Sequence, residues 1–204
     1  MTAHFRRRGN RCVARFAAAE TALLRESMRG MVGLMDTDLD SAFNDDPLLR
    51  GGPDHPRNQP HDDDPLAELE RELADPPLPP EDEVLLRLLP DAYTDDEAAS
   101  AEMRRLSEHS LRAGKAEAAR KVLSDLPDGA GSVSLSRPTA EMWLTAINDV
   151  RLFRGTMLEV TDDLDLSAAI AAERDPERAR EMICYGWLGW LQETLVDAVL
   201  RTPR

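Results

Sequence analysis

Residues 138–157 read PTAEMWLTAINDVRLFRGTM, and this stretch decides the fold class. Pro138 suits the first turn of a helix, where its missing amide hydrogen is not needed. Trp143, Ile147, Val150 and Met157 then recur at helical spacing and form one apolar stripe. Because an amphipathic helix buries its stripe against other elements, the stretch predicts a core built from packed helices.

Apolar residues at the same spacing predict further helices on both sides of this stretch. Their stripes are Leu24, Met28, Met31 and Met35 in residues 17–35, Val84, Leu85, Leu88 and Leu89 ahead of Pro90, and Trp187, Leu191, Leu195 and Val199 near the C-terminus. The last helix is expected to begin at Pro176 or Met182, with Asp175 as its cap. Residues 166–172 have a weaker helical pattern.

One long helical stretch is predicted between these elements. Thr94 and Glu97 have the spacing of a capping box, in which the two side chains satisfy the first free amides of a helix. The stretch that they open passes through Met103, Leu106 and Leu111 and reaches Leu126. Gly114 is a candidate break within it.

Two regions predict a small β-structure. Gly9-Asn10 is a dipeptide suited to a tight hairpin, and it is flanked by residues 5–8 and 11–16, where Cys12, Ala14 and Phe16 alternate onto one face. Residues 132–136 alternate as a third short strand would. The predicted fold is therefore mainly α: a helical bundle-like single domain over residues 1–204, with a small N-terminal β-hairpin or three-stranded sheet.

Residues 37–80 show neither the helical spacing of apolar residues nor the alternation of a strand. This segment is dense in Asp, Pro and Gly, as in Asp45-Asp46-Pro47 and Asp62-Asp63-Asp64. Such a composition cannot bury enough apolar surface to offset the entropy lost on ordering. We therefore expect a flexible acidic insertion that carries most of the net charge of the chain.

The charge of the chain opposes some classes of function. Its 204 residues have a formal net charge of −14, so general binding to DNA or to an anionic membrane surface is not expected. No apolar run reaches the roughly 18–20 residues of a membrane span, and the N-terminus has no secretory pattern. We expect a cytoplasmic protein.

Motifs of catalysis are missing from the sequence. It has no GxSxG, no Walker-type loop and no GxGxxG, which are signatures of acyl transfer, phosphoryl transfer and dinucleotide binding. His61 beside Asp62, Asp63 and Asp64 could coordinate a divalent cation, but this run lies in the predicted insertion, where a solvated loop is the simpler interpretation. We expect no enzyme, no metal and no cofactor.

Two polar clusters are candidate interaction sites. Asn148 and Arg151 lie i, i+3 on a helix face, with Asp149 between them. Trp190, Gln192 and Glu193 form a second group, on the last helix. Each group is either a buried polar network that fastens two helices or a patch that binds a partner. The structural interpretation is the expected one for the Asn148 group, and Trp190 is expected to be more exposed than Trp187.

Basic residues concentrate on the predicted hairpin, as Arg6, Arg7, Arg8, Arg11 and Arg15. They could contact a phosphate backbone as a β-ribbon does, or pair with the acidic insertion. Because only Phe5 and Phe16 accompany them as aromatics, self-pairing or a protein partner is favoured over nucleic acid.

Three motifs together resemble one family. Residues 88–93 (LLPDAY), residues 143–155 with NDVRL at 148–152, and YGWL at 185–188 followed by LQE at 191–193 resemble the actinobacterial AosR-like proteins. The arginine-rich hairpin leading into an Ala-Leu helix belongs to the same resemblance, which covers most of the chain outside the insertion.

The resemblance implies a cytoplasmic oxidation-sensing regulator that associates with a sigma factor of RNA polymerase. It also implies that an oxidant forms an intramolecular disulfide, for which this chain offers only Cys12 and Cys184. Without the resemblance, two ordinary reduced thiols are the simpler interpretation. A link to Clp-type proteolysis is a second implication of the resemblance, and a constitutive scaffold or homodimer that uses the Trp-bearing last helix is an alternative from the residues.

Overall fold

A computed structural model describes residues 4–44, 83–161 and 163–201, with the side chains of 37–44 left aside. The predicted acidic insertion and its His61 group therefore lie outside the described residues, apart from the backbone of 37–44, which is helical. That helix runs nine residues beyond Met35, the predicted end of its stripe.

Nine elements follow one another along the described chain. They are β1 (Arg6–Arg8), β2 (Arg11–Phe16), α1 (Ala18–Asn44), α2 (Glu83–Leu88), α3 (Glu97–Asp125), β3 (Gly131–Leu135), α4 (Arg137–Met157), α5 (Leu166–Ala172) and α6 (Pro176–Leu200). The predicted fold class is confirmed, since helices dominate and the only sheet in the described part is small. No described helix is long and apolar enough to cross a bilayer.

The sheet is antiparallel, in the order β1-β2-β3. Arg8 pairs with Arg11 across the predicted Gly9-Asn10 turn, and Gly9 has a φ of 64°. A positive φ at the first central residue is the geometry of a type II′ turn, whose twist matches that of the two strands. Cys12 pairs with Leu135 on the other side of β2, so residues 131–135 form the third strand as predicted.

Helix α4 lies at the centre of the fold and contacts α1, α2, α3, α6, β2 and β3. Ser136 caps its N-terminus and Pro138 lies in its first turn. Trp143, Ile147 and Val150 are buried as predicted, but Met157 is 61% exposed. The prediction that Met157 belongs to the buried stripe was wrong, because α4 ends at this residue, past the part of the helix that its neighbours cover.

Helix α3 departs most from the sequence pattern. It begins at Glu97 with Asp96 as the N-cap, whose carboxylate accepts the amide of Ala99, so the Thr94 capping box was wrong. The helix also continues through Gly114 without a break. In its first half Met103, Leu106 and Leu111 are exposed, whereas the polar side chains of Ser100, Arg104 and Arg112 are buried.

The loop before α3 explains that inversion. Asp91 accepts a hydrogen bond from the buried Arg104 guanidinium at 2.7 Å. Ser100 donates to the carbonyl of Tyr93 at 2.6 Å and accepts its amide at 3.0 Å. These bonds bring the polar face of α3 inward against residues 89–93, because buried polar groups are placed where partners exist.

The indole of Trp143 joins three parts of the fold. Its ring packs edge-on against Phe5 at 5.7 Å between centroids and lies 6.2 Å from Phe16. Its Nε1–H donates to a carboxylate oxygen of Asp125 at 2.9 Å, at the end of α3. The side chain is fully buried.

We expect Trp143→Ala to lower the free energy of unfolding by about 3–5 kcal/mol, since it opens a large cavity among the hairpin, α3 and α4. Trp143→Phe keeps an aromatic ring but removes the donor to Asp125, and should lower it by about 1–3 kcal/mol. Urea unfolding measures both. Trp190→Ala, at a tryptophan that is 37% exposed, is the matched control. An equal loss at Trp143 and Trp190 would contradict the central position of Trp143.

Candidate functional site

Three of the predicted polar residues meet between α4 and α6. The Arg151 guanidinium donates to the Gln192 side-chain oxygen at 2.7 Å, and the Gln192 amide donates to Asn148 Oδ1 at 3.4 Å. One glutamine thus bridges two residues spaced i, i+3, which the sequence had placed on one helix face. This bridge links α4 to α6, with Asn148 exposed and Gln192 partly buried.

Arg151 is held by further contacts with α6. Its guanidinium carbon lies 5.3 Å from the centroid of the Tyr185 ring, a cation–π distance. A Cβ at Gly189 would stand 3.4 Å from the guanidinium, so the missing side chain of Gly189 lets Arg151 lie directly on the helix. Its Nε is buried without a hydrogen-bond partner in the described residues. The planar cation is therefore fixed by stacking as well as by hydrogen bonds.

A shallow groove of about 620 Å³ opens beside this cation. The residues that line it are Arg151, Trp190, Gln192, Glu193, Thr194, Val196 and Asp197. Trp190 is 37% exposed, more than Trp187 as predicted, and its ring meets the edge of His4 at 6.1 Å. The groove thus combines an exposed aromatic ring, a fixed cation and two acidic side chains.

Asp149 does not belong to this cluster. It points to α3, where it accepts a hydrogen bond from Lys115 Nζ at 2.7 Å. Asp149 is only 2% exposed, and its Oδ2 has no hydrogen-bond partner in the described residues. Burial raises the pKa of its carboxyl above the ordinary value, although the Lys115 ammonium acts in the opposite direction.

A second arginine of α4 also contacts α6. Arg154 forms an ion pair with Glu181 and donates to Ser27 Oγ of α1 at 3.1 Å. Its side chain is 12% exposed. This contact joins three helices, and the sequence analysis missed it.

The two thiols lie in different surroundings. Cys12 is fully buried on β2 and belongs to the contiguous hydrophobic core. Cys184 is buried on α6, at 7% exposure, but is not part of that core cluster. Neither cysteine is in a disulfide bond. Helix α6 does contact β2, so the two elements that carry them are packed together.

The five arginines of the hairpin are all exposed. Arg7 donates to the carbonyl of Gly9 at 2.7 Å, and Arg11 donates to Ser134 Oγ at 2.7 Å. These acceptors are neutral. None of the five forms an ion pair with a residue that the structure describes.

Several residues of the site were missed because their partners are distant in sequence. Lys115, Tyr185, Arg154 and Glu181 meet their partners only through helix packing. One signal was available: Gly186 and Gly189 interrupt an otherwise apolar helical run, and a glycine there often marks a close approach.

The raised pKa of Asp149 predicts how stability depends on pH. Because the fold favours the protonated form, wild type should lose stability relative to Asp149→Asn as pH rises from about 4, the unfolded value, through the folded pKa of the carboxyl. Urea unfolding of both proteins across this range measures the difference. Asp128→Asn, at a fully exposed carboxyl, is the control. A wild type that gains on the variant with rising pH would show that the Lys115 pair outweighs burial.

Comparisons with known proteins place the chain in a family. The model of a domain of unknown function, DUF2017, matches residues 1–199. The chain is 30% identical to the oxidative stress regulator AosR of Mycobacterium tuberculosis (strain ATCC 25618 / H37Rv), over 93% of this chain and 83% of that protein. The same values hold for AosR of Mycobacterium bovis.

A third relative is matched over a shorter length. The chain is 34% identical to the AosR protein of Mycobacterium leprae, over 60% of this chain and 61% of that protein. No solved structure matches the chain. The match to the family model covers almost the whole sequence, and the chain therefore belongs to the DUF2017 family, together with the mycobacterial AosR proteins.

Proposed function

We propose that this chain is a cytoplasmic regulator of the response to oxidative stress, which acts by binding a protein partner and catalyses no reaction. The observation that carries the proposal is the 30% identity, over 93% of the chain, to proteins named oxidative stress regulator. Among the described residues, no group of three or more His, Cys, Asp and Glu side chains could hold a metal ion.

The partner in this proposal is a sigma factor of RNA polymerase, and the contact surface is the groove on α6. Trp190 supports the groove as the contact surface, because a partly exposed tryptophan beside an arginine is typical of interaction hot spots. Glu193 is exposed at the rim of the groove, where charges set orientation and association rate more than affinity. In this role Arg151 acts as a fixed donor, already immobilised by Tyr185 and Gln192.

The proposed signal is oxidation of Cys12 and Cys184. The two thiols lose two protons and two electrons when they form one disulfide. Hydrogen peroxide accepts these protons and electrons and is reduced to two water molecules. A disulfide needs Cα atoms about 4.4–6.8 Å apart. Because Cys12 is inside the core and Cys184 is outside it, the bond would move the hairpin relative to α6. Such a movement would alter the groove through His4 and Trp190.

Mild peroxide should produce a reversible disulfide between the peptides that contain Cys12 and Cys184. Non-reducing peptide mapping by mass spectrometry detects it, and Cys12→Ser and Cys184→Ser are matched controls that cannot form it. If both thiols stay reduced under conditions that oxidise free glutathione, the redox step is wrong for this chain.

Trp190→Ala should weaken binding to the cognate sigma factor at least about tenfold, because truncation of a central aromatic anchor costs about 2 kcal/mol or more. Binding of reduced and oxidised full chain to a panel of sigma factors, by biolayer interferometry, measures the effect. Met157→Ala is the control, since Met157 is an exposed apolar residue outside the groove. An equal effect of the two variants would rule out the groove as the contact surface.

A second candidate function has its own observation. Ile183, Trp190, Val196 and Leu200 are all exposed apolar residues of α6. Such a helix surface suits self-association into a constitutive dimer or scaffold. Concentration-dependent association that ignores oxidant, together with no sigma-factor binding in either redox state, would favour this candidate over the regulator.

A further inference from the structure

Every charged side chain on the outward face of the sheet is basic. Side chains alternate along a strand, and the inward set of Cys12, Ala14 and Phe16 on β2 is buried together with Val133 and Leu135 on β3. The pairing of Arg6 with Val13, Arg8 with Arg11, Val13 with Ser134 and Arg15 with Ser132 defines the opposite face. That face consists of Arg6, Arg8, Arg11, Val13, Arg15, Ser132 and Ser134, and we name it the arginine face. It contains four guanidinium groups and no carboxylate.

The charges of this face are not neutralised within the described structure. Arg11 is directed to the side chain and carbonyl of Ser134, which are neutral acceptors. The side chains of Arg6, Arg8 and Arg15 make no hydrogen bond or ion pair with any residue that the structure describes. By contrast, Arg25, Arg104 and Arg154 on α1, α3 and α4 each pair with a carboxylate. The arginine face is therefore a surface on which several donors converge without an anionic partner.

The chemistry of the donors defines the ligand. A guanidinium fork binds a carboxylate or a phosphate through two parallel hydrogen bonds, and neighbouring serine hydroxyls add further donors. Residues i and i+2 of a strand are about 7 Å apart and adjacent strands about 5 Å apart, so the face extends over roughly 10 by 14 Å. This area fits a segment of about four or five residues with several acidic side chains.

Two observations favour carboxylates over a nucleic acid. No aromatic side chain lies on the arginine face, so bases would have no surface on which to stack. A polyphosphate also extends beyond so small a face, over a protein whose net charge is −14, and is repelled there. A short acidic peptide concentrates its charge within the face.

We propose that the arginine face is a docking surface for a short acidic segment of a partner polypeptide. This surface lies on the sheet, apart from the α6 groove, and the inference does not rest on the proposed function. It gives the chain a second contact whose ligand is defined by charge, with an affinity that salt should control because the arginines are exposed.

Fluorescence anisotropy with a labelled peptide of about eight glutamates tests the proposal, using the full chain. The triple variant Arg6→Gln, Arg8→Gln, Arg15→Gln should bind the peptide at least about tenfold more weakly than wild type. Raising the salt from about 0.05 M to about 0.5 M should weaken wild-type binding by a similar factor. The triple variant Arg29→Gln, Arg174→Gln, Arg180→Gln removes three exposed arginines outside the face, so it is the charge-matched control and should bind like wild type.

The chain's own acidic sequence requires one further variant. Residues 37–82 contain fourteen acidic and three basic side chains, and we expect such a sequence to compete with the peptide. Peptide binding is therefore also measured with a triple variant, Asp62→Asn, Asp63→Asn, Asp64→Asn, which should bind the peptide more tightly than wild type. Circular dichroism and urea unfolding confirm that each variant is folded.

Three results would overturn the proposal. The first is equal peptide binding by wild type and the Arg6, Arg8, Arg15 triple variant. The second is that neither wild type nor the Asp62, Asp63, Asp64 variant binds the peptide. The third is that wild type binds a single-stranded oligodeoxynucleotide of equal charge more tightly than it binds the peptide. The last result would assign the face to phosphates. No oxidant and no sigma factor enters this experiment, so its outcome is separate from that of the proposed function.

Discussion

The structure depends on the burial of one side chain, the indole of Trp143. The N-terminal hairpin, α3 and α4 together enclose this ring and satisfy its single donor. Phe5 and Phe16 supply the aromatic surface, and Asp125 supplies the acceptor. Because an unsatisfied buried N–H costs about 1–3 kcal/mol, the hydrogen bond to Asp125 keeps the end of α3 against α4. The contacts with Phe5 and Phe16 keep the hairpin packed on the same ring.

Helix α4 distributes its polar side chains to different neighbours. Asp149 contacts α3, Arg151 contacts α6, and Arg154 contacts both α6 and α1. Successive helical residues turn by about 100°, so Asp149 and Arg151, two positions apart, point to nearly opposite sides, whereas Arg151 and Arg154, three positions apart, share the side that faces α6. A central helix can therefore fasten several neighbours with few residues. The apolar stripe supplies the bulk of the stabilisation, and these polar contacts select the register of each helix pair.

The two proposed interaction surfaces lie where this packing ends. Trp190 is exposed because α6 turns only one side toward α4, and the same side chain meets His4 just before β1. The hairpin thus connects the buried Cys12, the arginine face and the edge of the α6 groove within a few residues. In the proposed mechanism, a change at the Cys12 thiol would reach both surfaces through the pairing of β1 with β2.

Features that depend on local periodicity and turn chemistry could be predicted from the sequence. These include the helices marked by the stripes around Met28, Trp143 and Leu195, the Gly9 turn, and the Asp175 cap. The neighbour that each polar residue meets depends instead on how the helices pack. Asp149 was grouped with Arg151 but faces Lys115, and Met103, Leu106 and Leu111 are exposed while Arg104 is buried. Periodicity tells which residues share a face, but whether that face is covered depends on contacts between residues far apart in the chain, which no local pattern contains.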